Sequence, residues 1–192
     1  PVVSPTTGSV TSCPFLPDDR VFVDESKERG YYIAAAASAR GDVAKIEQRL
    51  RKLRHSGRSS IHFNGEQNRR DMLLRECCQM DVRVTLYLMR GAKDIVARPA
   101  LLRALVEDLV DARASSLVLE RDESVEHADR RTIRDQLQRQ QALGTIAYSH
   151  EQRSQRPLLW IADAVAWCHQ AGGQWPTKAA PMVDKVIELE RP

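Results

Sequence analysis

The chain has 192 residues, with 29 basic and 26 acidic side chains, a formal net charge of +3 and four cysteines. This length suits one α/β domain with a buried core and is short for two, because a domain usually takes ~100–200 residues. No segment approaches the ~20 apolar residues of a membrane span, and the cysteines lack zinc-finger spacing. We therefore expect a cytoplasmic protein without membrane partners.

The N-terminal part combines a polar arm with a predicted hairpin. Residues 1–19 are rich in Pro, Ser and Thr without periodicity, which predicts a flexible arm before a single domain over residues 20–192. Two short strands are predicted over 20–24 and 31–37. The polar segment between them contains Gly30, which favours an antiparallel turn.

The central part is predicted to alternate helices with strands. Apolar residues at helical spacing mark the helices, and β-branched or continuous apolar runs mark the strands. The expected elements are helix 42–55, helix 65–80, strand 82–89, helix 99–114 and strand 115–120.

The last part supplies a polar helix over 126–141, a fifth strand over 145–149 and an apolar helix from Pro157 to about Ala171. His150 and Glu151 are expected in a solvated polar loop. The tail to about Leu189 has apolar residues at helical offsets, with a short edge strand as the alternative. Together the elements predict an α/β fold with a central mixed five-stranded sheet flanked by helices.

Three carboxylates occupy positions that are otherwise apolar. Asp24 and Glu120 each end a short apolar strand, and Asp163 interrupts the most apolar helix. Burying an unpaired ionised acid costs several kcal/mol, about the stability of a small domain. If the two strands are neighbours, their acids lie about 5 Å apart, and Mg²⁺ or Mn²⁺ bound by all three would offset their repulsion.

Each acid also has an ordinary explanation. Asp24 could begin a turn, Glu120 could open the polar loop that follows it, and Asp163 could pair with an arginine. The metal site is preferred because it explains the three positions together.

Four stretches resemble, in order, a family of uncharacterised bacterial and phage proteins of the domain of unknown function 3800 type. They are Val21-Phe22-Val23-Asp24-Glu25-Ser26, Ile61-His62-Phe63, Leu117-Val118-Leu119-Glu120 and the helix Pro157–Trp167. The resemblance implies an RNase H-like fold. It also implies that Asp24, Glu120 and Asp163 are catalytic metal ligands, that His62 assists catalysis, and that Glu25 is an auxiliary.

Two departures from the family pattern concern the acids. Glu120 stands where Asp is more usual, and the helical Glu of many RNase H-like sites has no unambiguous counterpart. Glu66, at the start of a predicted helix, could fill that place or could be a solvated first-turn acid. His62 could equally be a structural hydrogen-bonding residue.

Six cations form two basic clusters that could bind the phosphates of DNA or RNA through counterion release. They are Arg51, Lys52, Arg54, Arg58, Arg69 and Arg70. Acidic residues are interspersed along the same helices, so an ordinary solvated face is the alternative.

The preferred function is a Mg²⁺- or Mn²⁺-dependent nuclease or related phosphoryl-transfer enzyme. The first alternative is a catalytically inactive RNase H-like module that binds nucleic acid or a partner protein. The second is an interaction domain with a partner surface made by Trp160, Trp167 and Trp175, although aromatic residues at this spacing more often belong to a core.

Overall fold

The computed structural model describes residues 13–191, and within that range six strands form one mixed sheet. The strands are β1 Asp19–Ser26, β2 Tyr31–Ala39, β3 Arg83–Met89, β4 Ser116–Glu120, β5 Ala147–Glu151 and β6 Val183–Glu188. Their order across the sheet is β5-β4-β1-β2-β3-β6. The predicted α/β class with a mixed sheet is confirmed, but the number of strands was wrong, because the tail adds a sixth.

Strand directions follow from the connections. β1, β2 and β3 form an antiparallel meander, and the β1–β2 turn ends at Gly30, whose φ of +112° favours glycine. β4 lies parallel to β1, and β5 lies parallel to β4. The carboxyl ends of β1, β4 and β5 therefore meet at one edge of the sheet.

Helices cover both faces of the sheet. They are α1 Val43–Leu53, α2 Arg70–Cys77, α3 Asp94–Ala112, α4 Glu126–Arg139, α5 Leu158–Ala171 and the short α6 Trp175–Ala179, with 3-10 turns at Phe63–Gly65 and Ala180–Met182. One apolar core lies under α1, α2 and α5, and the other lies under α3 and α4.

α5 is the central helix of the first layer and packs on β1 and β2. Its side chains are buried almost all round, as expected for a helix with apolar residues on every side. The facing strand β2 contributes Ala34 and Ala36, which are fully buried and short enough to let the helix approach closely. This packing fixes the height of Asp163 over the sheet.

One predicted boundary is corrected, and the end of the tail takes the edge-strand form that was the alternative. α3 begins at Asp94 and carries Pro99 inside it, whereas the prediction began the helix at that proline. The proline removes the hydrogen bond to the carbonyl of Ile95, and Ile95 is 82% exposed, so water can bind that carbonyl instead. The tail forms β6, whose residues alternate between exposed and half-buried as in a one-faced edge strand.

The N-terminal boundary is also corrected. Asp19 belongs to β1 and not to the predicted arm, and Phe15 is buried in the core under α3 and α4. Residues 1–12 of that arm lie outside the described residues. Across residues 13–191, no helix is both long and apolar enough to span a membrane.

Candidate metal and phosphodiester site

Three acids converge at the edge where the parallel strands end. Val23 of β1 is in register with Leu119 of β4, so Asp24 and Glu120 follow side by side on neighbouring strands. Asp163 reaches the same place from α5, which packs over β1. Asp24 and Asp163 are 6% and 7% exposed, so both carboxylates are largely withdrawn from water.

One arginine joins all three acids. Arg153, in the loop between β5 and α5, donates from Nη2 to Asp24 Oδ2 at 3.0 Å and to Glu120 Oε2 at 2.6 Å. Its Nη1 lies 3.4 Å from Asp163 Oδ2. The loop is anchored because the indole N–H of Trp160 donates to the backbone carbonyl of Arg153 at 2.8 Å. A single guanidinium is thus the cation nearest to three carboxylates.

His62 lies beside this cluster with a mostly exposed ring. Its Nδ1 is 3.0 Å from Asp163 Oδ2 and 2.7 Å from Arg153 Nη1. A protonated Nδ1 donates to Asp163, whereas an unprotonated one accepts from Arg153. The side chain is 63% exposed, so Nε2 is accessible to a ligand. Asp163 Oδ2 is held as well by the backbone N–H of Phe63 at 2.8 Å.

The pKa shifts show how unequal the three acids are. Burial, followed by a hydrogen bond with Glu120 and the charge of Asp163, raises the pKa of Asp24 well above its usual value. Burial also acts on Glu120 and Asp163, but hydrogen bonds to Arg153 and Asp24 lower the pKa of Glu120, and the bond with His62 lowers that of Asp163. The hydrogen bond to Asp163 raises the pKa of His62. Arg153 alone does not keep all three acids easily ionised.

The cluster forms the floor of a cavity of about 630 Å³. Its walls come from the β1–β2 turn, the segment after β4, the 3-10 turn at Phe63–Gly65 and α5. Besides the three acids, Arg153 and His62, the lining includes Glu25, Lys27, Asn64, Arg98, Arg121, Asp122, Glu123 and Trp167. A cavity of this size is sufficient for one nucleotide-sized group.

The two predicted auxiliary acids are bound to other partners. Glu25 lines the cavity, but its carboxylate pairs with Lys27 at 2.6 Å and with Arg98. Glu66 pairs with Arg69 at 3.1 Å and is not part of the described lining. Neither of them joins the cluster around Arg153.

The six predicted nucleic-acid-binding cations lie outside the described cavity lining. Lys52 and Arg58 are exposed on the surface. The others contact neighbouring groups: Arg51 binds Glu47, Arg54 binds the Ser59 carbonyl, Arg69 binds Glu66 and the Leu53 carbonyl, and Arg70 binds the Phe63 carbonyl. Arg70 is the closest of them to the cavity, because it also contacts the lining residue Asn64.

Sequence reasoning missed Arg153 and Glu151. Glu151 ends β5 in register with Glu120, so the predicted solvated loop is wrong. Its carboxylate accepts from Arg156 at 2.6 Å and from Ser149 at 2.8 Å. Placing the end of β5 two residues later would have revealed Glu151, because it then aligns with Glu120 at the end of β4.

A second buried polar network lies on the opposite face. Arg98 of α3 donates from Nε and Nη2 to both carboxylate oxygens of Asp129 of α4, at 2.7 and 2.8 Å. His150 of β5 places Nε2 3.0 Å from the same carboxylate, and Arg98 Nη1 donates to the Tyr31 hydroxyl at 2.7 Å. This Arg98–Asp129–His150 network ties both helices to the sheet.

The acids around Arg153 have the donor chemistry of a divalent-metal site. Carboxylate oxygens are the ligands that Mg²⁺ and Mn²⁺ prefer, and three acids against one arginine leave negative charge for a cation to neutralise. In the present arrangement, however, no group of three or more His, Cys, Asp or Glu side chains among residues 13–191 is placed to hold a metal ion. The guanidinium of Arg153 lies between the acids, so it must move for an ion to bind.

Comparisons with known proteins support the fold alone. No protein-family model matches the chain, and no curated protein matches it. The chain is similar to a solved structure of the PCNA:RNase HII complex from Archaeoglobus fulgidus, with 13% identity over 80% of this chain and 71% of that chain and a TM-score of 0.50. The α/β sheet flanked by helices is therefore similar in fold to that RNase HII, whereas the resemblance to the family of the domain of unknown function 3800 type stays a prediction.

Proposed function

We propose that this chain is a divalent-metal-dependent nuclease, or a related phosphoryl-transfer enzyme, that acts on nucleic acid phosphodiesters. The observation that carries the proposal is the meeting of Asp24, Glu120 and Asp163 at the end of parallel strands in an RNase H-like sheet. The three acids come from distant parts of the sequence, and a folding role alone requires no such gathering of like charges.

The charge count supports a cation of higher charge than arginine. With all three carboxylates ionised, the site would carry three negative charges against the one positive charge of Arg153. Burial, followed by this excess of acids, raises the pKa of Asp24. A buried excess of negative charge is costly, so a divalent cation would stabilise the ionised acids. Asp24, Glu120 and Asp163 would bind Mg²⁺ or Mn²⁺ when Arg153 moves aside.

The chain's own groups then have distinct tasks. A bound divalent cation supplies an activated water and stabilises negative charge on the phosphate. His62 accepts or donates a proton at its exposed Nε2, while the contacts at Nδ1 hold the ring in place. Arg153, once it leaves the acids, offers its planar set of donors to a phosphate oxygen.

The substrate class, the family, the cellular setting and the role of the surface cations are also proposed. DNA and RNA are both substrates compatible with the chemistry, since the same acids serve either backbone. We also propose that the chain belongs to the family of the domain of unknown function 3800 type and that it acts in the cytoplasm. The six surface cations would add salt-dependent affinity for the backbone away from the site.

One observation favours a second candidate, a catalytically inactive module that binds nucleic acid. Arg153 already hydrogen-bonds to each of the three carboxylates, so every acid of the cluster has a cationic partner without an added ion. In such a module the arginine replaces the metal permanently. The acids would then stabilise the loop between β5 and α5 and perform no chemistry.

A cleavage assay separates the two candidates. Single-stranded DNA, duplex DNA, RNA and an RNA–DNA hybrid are incubated with Mn²⁺ and the wild-type chain, Asp24→Asn or Asp163→Asn. The matched control is Asp135→Asn, an exposed aspartate of α4. We expect cleavage of at least one substrate, lowered by about 100-fold or more in both site variants and unchanged in the control. Absence of cleavage with every substrate supports the inactive module, and equal cleavage by wild type and Asp24→Asn contradicts the role of these acids as the catalytic site.

A further inference from the structure

We propose that one wall of the cavity is a binding site for an unpaired nucleotide, whose base stacks beside the acids. The wall consists of Asn64 and Trp167, which line the cavity, and we call it the aromatic wall. Arg70 lies beside it, outside the lining, and contacts both residues. This inference rests on the proposed function and deepens it, because it assigns the substrate class of the site as nucleic acid with an unstacked base.

The aromatic wall adjoins the acids directly. Trp167 follows Asp163 by four residues on α5, which places it one helical turn further along the same side. Asn64 lies two residues after His62, in the 3-10 turn whose backbone holds Asp163. Asn64 and Trp167 both line the cavity. A ligand that reaches the acids therefore passes within reach of this wall.

The ring of Trp167 is packed against three neighbouring side chains. Phe63 and Trp175 each meet it edge to face, with ring centroids 5.3 Å away in both cases. The guanidinium of Arg70 lies 4.1 Å from its centroid, the distance of a stacked cation–π contact. The indole is half-buried, so part of this fixed ring remains accessible from the cavity.

The hydrogen bonds of the wall leave donors unused. The Asn64 side-chain oxygen accepts from the Trp167 indole N–H at 3.1 Å and from Arg70 Nη2 at 3.3 Å. These two bonds fix the amide, so its Nδ2 is the free end. Within residues 13–191, no acceptor hydrogen-bonds to Asn64 Nδ2 or to Arg70 Nη1.

These groups match the parts of a nucleotide. A flat, rigid indole suits a base face, a neutral amide donor suits an acceptor on a base or sugar, and a guanidinium donor suits a phosphate oxygen. Trp160 shows the structural contrast on the same helix. It is 3% exposed and its indole N–H is bonded to the Arg153 backbone, so it offers nothing to a ligand.

A paired base cannot use this wall, because its faces are covered by its neighbours in the duplex. The substrate strand must therefore be single-stranded, frayed or locally opened where it meets Trp167. We expect single-stranded probes to bind more tightly than a duplex of equal charge. The preference comes from stacking and not from net charge.

Binding without catalysis tests the inference. Fluorescence anisotropy of labelled oligothymidine, oligouridine and a matched duplex is measured in EDTA with wild type, Trp167→Leu and Asn64→Ala. The matched control is Leu143→Ala, an exposed apolar side chain outside the described cavity lining. We expect about 10-fold weaker binding of both single strands in Trp167→Leu, a smaller loss in Asn64→Ala, and no change in the control.

Two outcomes overturn the inference. One is equal binding of single strands by wild type, Trp167→Leu and Asn64→Ala, and the other is duplex binding as tight as single-strand binding. Thermal unfolding of each variant identifies loss of folding, and the exposed position of Asn64 keeps the test informative if Trp167→Leu unfolds. Because these measurements contain no divalent ion, they are independent of cleavage. Loss of binding in the variants alongside absence of cleavage in Mn²⁺ supports the wall and rejects the nuclease.

Discussion

The cluster around Arg153 and the Arg98–Asp129–His150 network use the same residue types on opposite faces of one sheet. In the network, both oxygens of the Asp129 carboxylate are bound by Arg98, and His150 supports one of them. In the cluster, a single guanidinium is divided among three carboxylates. Arg98 also contacts Glu25, but Glu25 is paired with Lys27 as well, so Asp129 and Glu25 together meet two cations. The three acids of the cluster share one arginine.

This difference separates a structural polar group from a candidate site. A buried carboxylate with a bidentate arginine satisfies its hydrogen bonds and holds elements together. A buried group of acids with too few cations is less stable than it could be, and such local cost is typical of functional sites. Charge balance, more than burial or the presence of a histidine, distinguishes the two regions.

The largest expected effect comes from breaking the balanced network. Asp129→Ala leaves the buried Arg98 guanidinium without its bidentate partner, so we expect the free energy of unfolding to fall by about 3–5 kcal/mol. Urea denaturation measures the change. Asp135→Ala, on the exposed side of the same helix, should alter the value by no more than about 0.5 kcal/mol. Equal losses in the two variants would show that the network does not stabilise the fold.

Mn²⁺ binding should give the next largest change in the free energy of unfolding, and this change should depend on the acids of the cluster. At a Mn²⁺ concentration of about 100 times the dissociation constant, the free energy of unfolding should rise by about 2.7 kcal/mol. Thermal unfolding with and without Mn²⁺ detects the gain, and EDTA should remove it. Asp163→Asn should abolish the gain and Asp135→Asn should keep it. A Mn²⁺-dependent shift of equal size in Asp163→Asn would place the ion elsewhere.

The network should also make stability depend on acid pH. Burial acts to raise the pKa of Asp129, but the hydrogen bonds from Arg98 and His150 outweigh it and lower that pKa. A lowered folded-state pKa means that the stabilisation is complete above the unfolded value of ~3.9 and is lost as the pH falls through the folded value. The stability difference between wild type and Asp129→Asn should therefore shrink below about pH 4. A difference that stays constant from neutral pH into this range would contradict the ionic role.

The smallest effect is expected from neutralising one acid of the cluster. Asp24→Asn removes a negative charge from a group with too many, while its amide oxygen can still accept from Arg153. We expect the metal-free protein to gain about 0.5–1 kcal/mol in unfolding free energy, measured by urea denaturation in EDTA. A loss above about 2 kcal/mol would mean that the cluster is a balanced structural element like the network.

The acids could be identified from sequence because each interrupts an apolar pattern. Asp24 and Glu120 end buried strands, and the parallel pairing of β1 with β4 makes them neighbours, as that pattern suggested. Asp163 lies in a helix whose other side chains are nearly all buried, so its position was also visible. Local periodicity was enough for these elements because burial on both faces leaves a continuous apolar run.

The partners of the acids could not be identified in this way. Arg153 lies in a polar loop with another arginine nearby, and nothing local indicates which one turns inward. Asp129 meets Arg98 across 31 residues of sequence, so their pairing exists only after α3 and α4 have packed. β6 was ambiguous for a different reason, since its few apolar residues fit either a helical or a strand period.

Asp24 and Glu25, two consecutive acids, help to set the alignment of β1 within the sheet. Val21, Phe22 and Val23 place buried apolar side chains on both faces of the sheet. Hydrophobicity alone therefore barely distinguishes the correct alignment of this strand from a slip of one residue. Asp24 and Glu25 do distinguish it, because their side chains leave opposite faces toward Arg153 and Arg98. A misaligned strand would remove one carboxylate partner from each arginine at once. The charged end of β1 therefore favours the correct register of this strand in the sheet.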